Sequence, residues 1–281
     1  MNHEVVRTRG GALAMRSLDA GEVMHPGVGP LIEAQRLYVE QSRLAERLRA
    51  GPTATLVVFD VGLGAGSNAV AAWAVSESLA GTSAVRLELV SFERDLGALQ
   101  VALAHEVAFG LTGDAGVAAR ALLADGRHDS ARTSWRLVRG DVLEALAGES
   151  ARADLIFWDP FSPRANPALW TVAAFAAARR AAGPRATLFT YSASTTVRVA
   201  MLLGGWAVGI GDGIGEKGQT TSAAVDVRDL RRPIDRTWLR RLDRPDARLP
   251  DDSPVDALAR VRAAPQFSAV ADLIHPLSSI V

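Results

Sequence analysis

Short apolar runs alternate with longer segments of helical spacing along most of the chain. Residues 56–61, 87–92, 135–138, 153–158 and 187–192 read as buried strands, and residues 204–208 and 221–227 read as two more. Between them lie helical stretches: NAVAAWAV directly after Ser67, one over 94–107, a short one over 115–123 inside a long surface connection, VLEALAG after Asp141, one from Leu169 and one over 195–203. Brief apolar runs bounded by turn residues fit strands, and apolar positions three and four apart fit helices that cover them. Their alternation predicts a mostly parallel sheet with helices on both faces. The last two strands, joined by GIGDGIGEKGQT, predict a closing antiparallel hairpin, for seven strands in all.

The ends of the chain follow other rules. Residues 5–18, centred on Gly10-Gly11, predict a small hairpin, and Leu31, Ile32, Leu37, Tyr38, Leu44 and Leu48 predict a helix from Pro30 that Gly51-Pro52 stops. Residues 1–50 are therefore expected to cap an α/β domain over 51–227, with 228–281 as an extension that packs back on it. From Arg228 to Arg248 the extension carries eight arginines against four aspartates, with Trp238 among them. Such a stripe can track a nucleic-acid backbone or serve as a solvated face with internal ion pairs.

Composition narrows the classes. The 281 residues are 48% apolar, enough for a sizeable core in one domain with additions. Lysine plus arginine equal aspartate plus glutamate at 31 each, so any basic surface must be local. With no cysteine, disulfides, thiolate metal sites and cysteine nucleophiles are excluded, and a metal site would rest on five scattered histidines. No apolar leader or membrane-length run is visible, which predicts a cytoplasmic chain without membrane or metal partners.

Candidate chemistry begins at the first of these strands. It ends in Asp60-Val61-Gly62-Leu63-Gly64-Ala65-Gly66, and Asn68 opens the helix that follows. Glycines suit a turn that visits positive φ and brings backbone against a ligand at a helix N-terminus. Ser67 stands where a dinucleotide fingerprint would need its third glycine, which disfavours a nicotinamide cofactor. The pattern D-x-G-x-G-x-G instead resembles the first motif of class I S-adenosylmethionine (SAM) methyltransferases. Glu93, at the tip of the second strand, suits a ribose diol or the start of the next helix. Asp141 suits an adenine amino group or a helix cap. Asp159 ends an apolar strand at the sheet's carboxyl edge and opens a stiff loop, DPFSPRANP, in which Asn166 could also cap a helix. Lys217, in the hairpin loop, could meet a phosphate or stay solvated.

The segment DLIFWDPFSPRANPALW resembles the signature of the MnmC/MnmD-type methyltransferases that complete 5-methylaminomethyl-2-thiouridine at the tRNA wobble position. GEVMH with EAQ upstream, the glycine motif with SFE, and GIGEKGQTTSA fit the same pattern in order, over roughly residues 20 to 225. The resemblance implies a Rossmann-like class I methyltransferase fold that uses SAM. Asp60, Gly62, Gly64, Gly66, Asn68, Glu93 and Asp141 would then serve the cofactor. Asp159 would face the substrate amine as catalytic residue, with Glu33, Phe161, Asn166 and Lys217 contacting substrate. It also implies tRNA as partner and, because the best-known members are fused to an oxidase for which this chain has no room, a separate oxidase acting upstream. The residues alone also admit a small-molecule N- or O-methyltransferase and a non-catalytic SAM-binding module.

Overall fold

A computed structural model describes residues 2–25, 27–50, 54–214 and 218–269. The strands in chain order are β1 (His3–Arg7), β2 (Leu13–Ser17), β3 (Glu22–Val23), β4 (Thr55–Val61), β5 (Arg86–Glu93), β6 (Arg127–Asp129), β7 (Thr133–Arg139), β8 (Ala153–Trp158), β9 (Ala182–Thr190), β10 (Ala207–Gly211) and β11 (Thr220–Ala224). The main sheet has the order β10-β11-β9-β8-β4-β5-β7-β6. Its five central strands are parallel, and β10 and β11 form the antiparallel hairpin that the sequence predicts.

The sheet has eight strands rather than the expected seven. The extra one, β6, is the tripeptide Arg-His-Asp, which follows helix Gly113–Asp125 after a left-handed Gly126 and folds back antiparallel on β7. Three polar residues carry no apolar alternation, so the pattern could not announce it. The helix before it is longer at both ends than the apolar core at 115–123 suggests.

The N-terminal hairpin is a three-stranded sheet, because the two-residue β3 pairs with β2. The helix expected over 30–48 is broken into Pro30–Glu33, a π-helix Ala34–Glu40, and Leu44–Ala50 after Arg43 at φ 56°. The wider turn still buries Leu37 and Tyr38 against the sheet, so side-chain spacing alone conceals the break. The helix expected over 94–107 is likewise divided, into Gly97–Leu103 and Glu106–Phe109. It starts late because the Glu93 carboxylate accepts from Arg94 N at 2.7 Å and Asp95 N at 3.0 Å, forming a turn rather than a helical first turn.

Each sheet face buries its own apolar cluster. Tyr38, Trp135, Phe157 and Phe189 belong to one, and Phe59, Trp158, Phe175 and Trp206 to the other. The described part of the C-terminal extension joins the second cluster through Trp238, Leu242, Val261 and Phe267. It also lines the sheet edge. Arg232 O accepts from Ile210 N at 2.8 Å, Ile234 N donates to Val208 O at 3.0 Å, and Gln266 Oε1 accepts from Val208 N at 2.7 Å. Most of AVADLI lies outside the described residues.

Candidate active site

A cavity of about 970 Å³ opens at the carboxyl ends of β4, β5, β7 and β8 and is roofed by residues 17–25. This is the edge where open α/β sheets place ligands. Its floor is the turn after β4. Gly62, Gly64 and Gly66 have φ of 88°, 53° and 86°, as the sequence requires of a cradle. A Cβ on Gly62 would lie 2.8 Å from the Asp159 carbonyl oxygen, and one on Gly64 would lie 3.2 Å from Met24 Sδ. Gly66 serves the turn differently, since its Cβ would meet Leu99 at 3.2 Å, and it precedes helix Ser67–Ser78.

Glu93 reaches the turn from β5, where its Oε2 accepts from Gly64 N at 3.0 Å. Glu93 and Asp141 both line the cavity. Asp141 does cap a helix, accepting from Leu143 N at 2.8 Å and Glu144 N at 3.3 Å. Asp60 does not line the cavity. It is fully buried behind the turn, where Oδ2 accepts from Ser91 Oγ at 2.8 Å, and Trp135 Nε1 in turn donates to Ser91 at 3.0 Å. Burial pushes the Asp60 carboxyl up to about 7 against the help of Ser91, and the charges of Asp159 and Glu93 add to the rise.

At the other end stands Asp159, its side chain only 8% exposed. Asn68 Nδ2 donates to its Oδ2 at 2.7 Å, which ties this residue, expected with the cofactor, to the acid. His25 joins two of the carboxylates that line the cavity: Nε2 lies 3.7 Å from Asp159 Oδ2, and Nδ1 lies 3.6 Å from Glu33 Oε2. His25 itself holds a left-handed φ of 54°, the kind of strain that persists where surroundings over-determine it. Burial raises the Asp159 carboxyl above its ordinary range; the His25 charge opposes the rise, Glu33 adds to it, and the nearby Tyr38 and Asn68 oppose it. The π-helix carries Tyr38 beneath this group, fully buried.

The loop after Asp159 is pinned from several sides. Tyr191 donates its hydroxyl to Pro160 O at 3.0 Å, and Trp170 Nε1 donates to Phe161 O at 2.8 Å. Glu22 of β3 accepts from Ser162 N at 3.1 Å and from Arg164 Nη2 at 3.0 Å. Phe161 and Asn166 line the cavity, and Asn166 makes no side-chain cap to the 3₁₀ turn Pro167–Trp170. Lys217 lies outside the described residues. The sequence reading assigned no role to His25, Tyr38, Tyr191 or Glu22. His25 and Glu22 sit in the quoted GEVMH stretch, the one local signal that could have drawn attention to them.

Residues 120–226 match a family of S-adenosyl-L-methionine-dependent methyltransferases. Over 205 residues, 70% of this chain, the sequence is 34% identical to the tRNA 5-methylaminomethyl-2-thiouridine biosynthesis bifunctional protein MnmC of Pseudomonas aeruginosa. It is 33% identical over 197 residues to the protein of that name from Burkholderia thailandensis. These alignments cover 31% and 30% of the relatives, so the chain spans about a third of their length. The crystal structure of MnmC2 from Aquifex aeolicus superposes with a TM-score of 0.70 at 23% identity, covering 93% of this chain and 85% of that one, which shows a shared fold. The cradle suits SAM on geometry of its own: a turn of left-handed glycines leads from β4 into a helix beside the cavity, and Glu93 stands at its rim. With that fold, that cradle and these relatives, the chain belongs to the S-adenosyl-L-methionine-dependent methyltransferase family, as a relative of the MnmC proteins.

Proposed function

We propose that the chain methylates the aminomethyl group of a modified wobble uridine in tRNA. The observation that carries this reading is the buried Asp159, held by Asn68 and faced by His25 at the end of the cavity that adjoins the glycine turn. Gly62, Gly64, Glu93 and Asp141 would hold SAM, which supplies an electrophilic methyl group when bound. The chain's own work is at the acceptor. An aliphatic amine is mostly protonated near neutral pH and must be neutral to attack. A carboxylate raised by burial is a better proton acceptor than an exposed one, so Asp159 can orient the amine and take its proton. His25 faces it, and Glu33 lies on the other nitrogen of that imidazole and adds to the rise. The pinned loop holds this geometry without a large ordering cost.

The relatives, named for 5-methylaminomethyl-2-thiouridine biosynthesis in tRNA, supply the substrate class, and in this reading an oxidase acting upstream exposes the amine and the reaction belongs to the cytoplasm. Among the described residues no helix is long and apolar enough to cross a membrane. The test is transfer of label from methyl-labelled SAM into tRNA from cells lacking the final methylation, followed by nucleoside mass analysis. Label in 5-methylaminomethyl-uridine or its thio form is expected. Label in small amines alone would replace the tRNA reading with a metabolite methyltransferase, and SAM binding without any transfer would leave a binding module.

A further inference from the structure

A second cleft, of about 460 Å³, opens on the sheet face that carries Tyr38. Three stretches build it: residues 41–47, a floor from β9 to β11 that includes Thr187 and Phe189, and residues 228–232 at the start of the C-terminal extension. Five arginines line it against three carboxylates. The carboxylates are already engaged: Glu46 with Arg43, Asp229 with the outlying Arg185, and Asp212 with both Arg231 at 3.3 Å and Arg232 at 2.7 Å. Sharing one carboxylate between two guanidiniums leaves that rim positive.

Arg47 is the cation at the base. Its Nε donates to Ser42 O and its Nη2 to Thr187 Oγ1, both at 2.9 Å, and among the described residues it has no ion-pair partner. Burial presses its guanidinium towards the neutral form, against the attraction of the more distant Asp229 and Asp154. A partly buried guanidinium with donors to spare is costly unless an anion meets it, and its planar fork suits a phosphate. Gln41 stiffens the wall, with Oε1 accepting from Asp212 N at 2.9 Å and Nε2 donating to Asp212 O at 3.3 Å.

The cleft is also coupled to the active site. Phe189 lies in the cleft and Tyr191, two residues on, lines the active-site cavity. At roughly 3.3 Å per extended residue, the floor from Thr187 to Tyr191 spans about 13 Å. A few nucleotides of one strand, at about 3.4 Å rise each, cover that distance. We propose that this cleft is a phosphate site in which Arg47, Arg231 and Arg232 take a backbone phosphate of the RNA whose modified base reaches Asp159. The assignment to RNA rests on the function proposed above; the anion site does not.

The test compares the full chain with Arg47→Gln and with Arg231→Gln/Arg232→Gln, whose rim positions are exposed enough to leave folding intact. Binding of an anticodon stem-loop RNA is measured over a sodium chloride series, and inorganic phosphate is titrated separately by thermal shift. Both variants should bind the RNA about tenfold more weakly and flatten the slope of log affinity against log salt by about one, with SAM affinity unchanged. Unchanged RNA affinity and slope in both variants would overturn the RNA assignment. If phosphate still protected only the unaltered chain, the anion site would stand with a small phosphate compound as its ligand. If neither RNA binding nor phosphate protection differed between the variants and the unaltered chain, the site itself would be overturned. Absence of methyl transfer despite Arg47-dependent RNA binding would overturn the proposed reaction and support the cleft.

Discussion

The two ends of the active-site cavity are built in opposite ways. The glycine end is one contiguous turn, residues 62–66, and works through left-handed φ values, with Glu93 at its rim. The acid end gathers side chains from distant places: His25 from the roof, Glu33 from the helix Pro30–Glu33, Tyr38 from the π-helix, Asn68 from a helix start, and Asp159 after a strand tip. A contiguous device is fixed by local geometry and tolerates change elsewhere. An assembled one depends on every segment that holds it, so its chemistry is exposed to mutations far along the chain.

Asp159→Asn gives the sharpest separation of the two ends. It should lower kcat by roughly 10²–10⁴ in steady-state transfer while SAM affinity by calorimetry stays within about twofold. Joint loss of cofactor binding would mean that the ends are not separable. Gly62→Ala strikes the glycine end, where it adjoins Asp159. Its methyl group would press on the Asp159 carbonyl from a left-handed backbone, so SAM affinity should fall at least about tenfold, with about 1–3 kcal/mol of strain. His25→Gln removes an imidazole that meets two carboxylates and should lower kcat about tenfold without altering SAM affinity.

The pH dependence tests the same division. Asp159 must be ionised to accept a proton and its carboxyl is raised, so the acid limb of kcat/KM should fall at a pH above the ordinary carboxylate range, and Asp159→Asn should abolish that limb. The smallest effect belongs to Asp60. Its folded value near 7 exceeds the unfolded one, so its contribution to stability is complete below about pH 4 and is lost as pH rises through about 7. Asp60→Asn should therefore show a flatter melting temperature over that interval and gain most over the unaltered chain at the alkaline end.

The sequence made the parallel sheet, the cradle, Glu93 and the Asp159 loop legible because each is written in neighbouring residues. Helical spacing at Leu37, Tyr38, Leu44 and Leu48 hid a π-helix and a left-handed Arg43, since the same residues are buried either way. β6 was hidden because its three polar residues carry no apolar alternation. Asn68 looked like a cofactor contact from its place after the glycines, yet only the folded chain shows its amide turned to Asp159. His25 had no readable partner, because Glu33 and Asp159 meet it only after the roof has closed.

Gln266 carries a consequence for how the chain behaves among its own copies. Its amide meets β10 as a neighbouring peptide would: Oε1 accepts from Val208 N, and Nε2 donates to Val208 O at 3.1 Å and to Ile234 O at 2.8 Å. With residues 232–234 beside it, the last strand presents no open ladder to a passing chain. Uncovered strand edges are templates for aggregation. Shortening the chain before residue 228 would uncover this one, and the product should be recovered as insoluble aggregate.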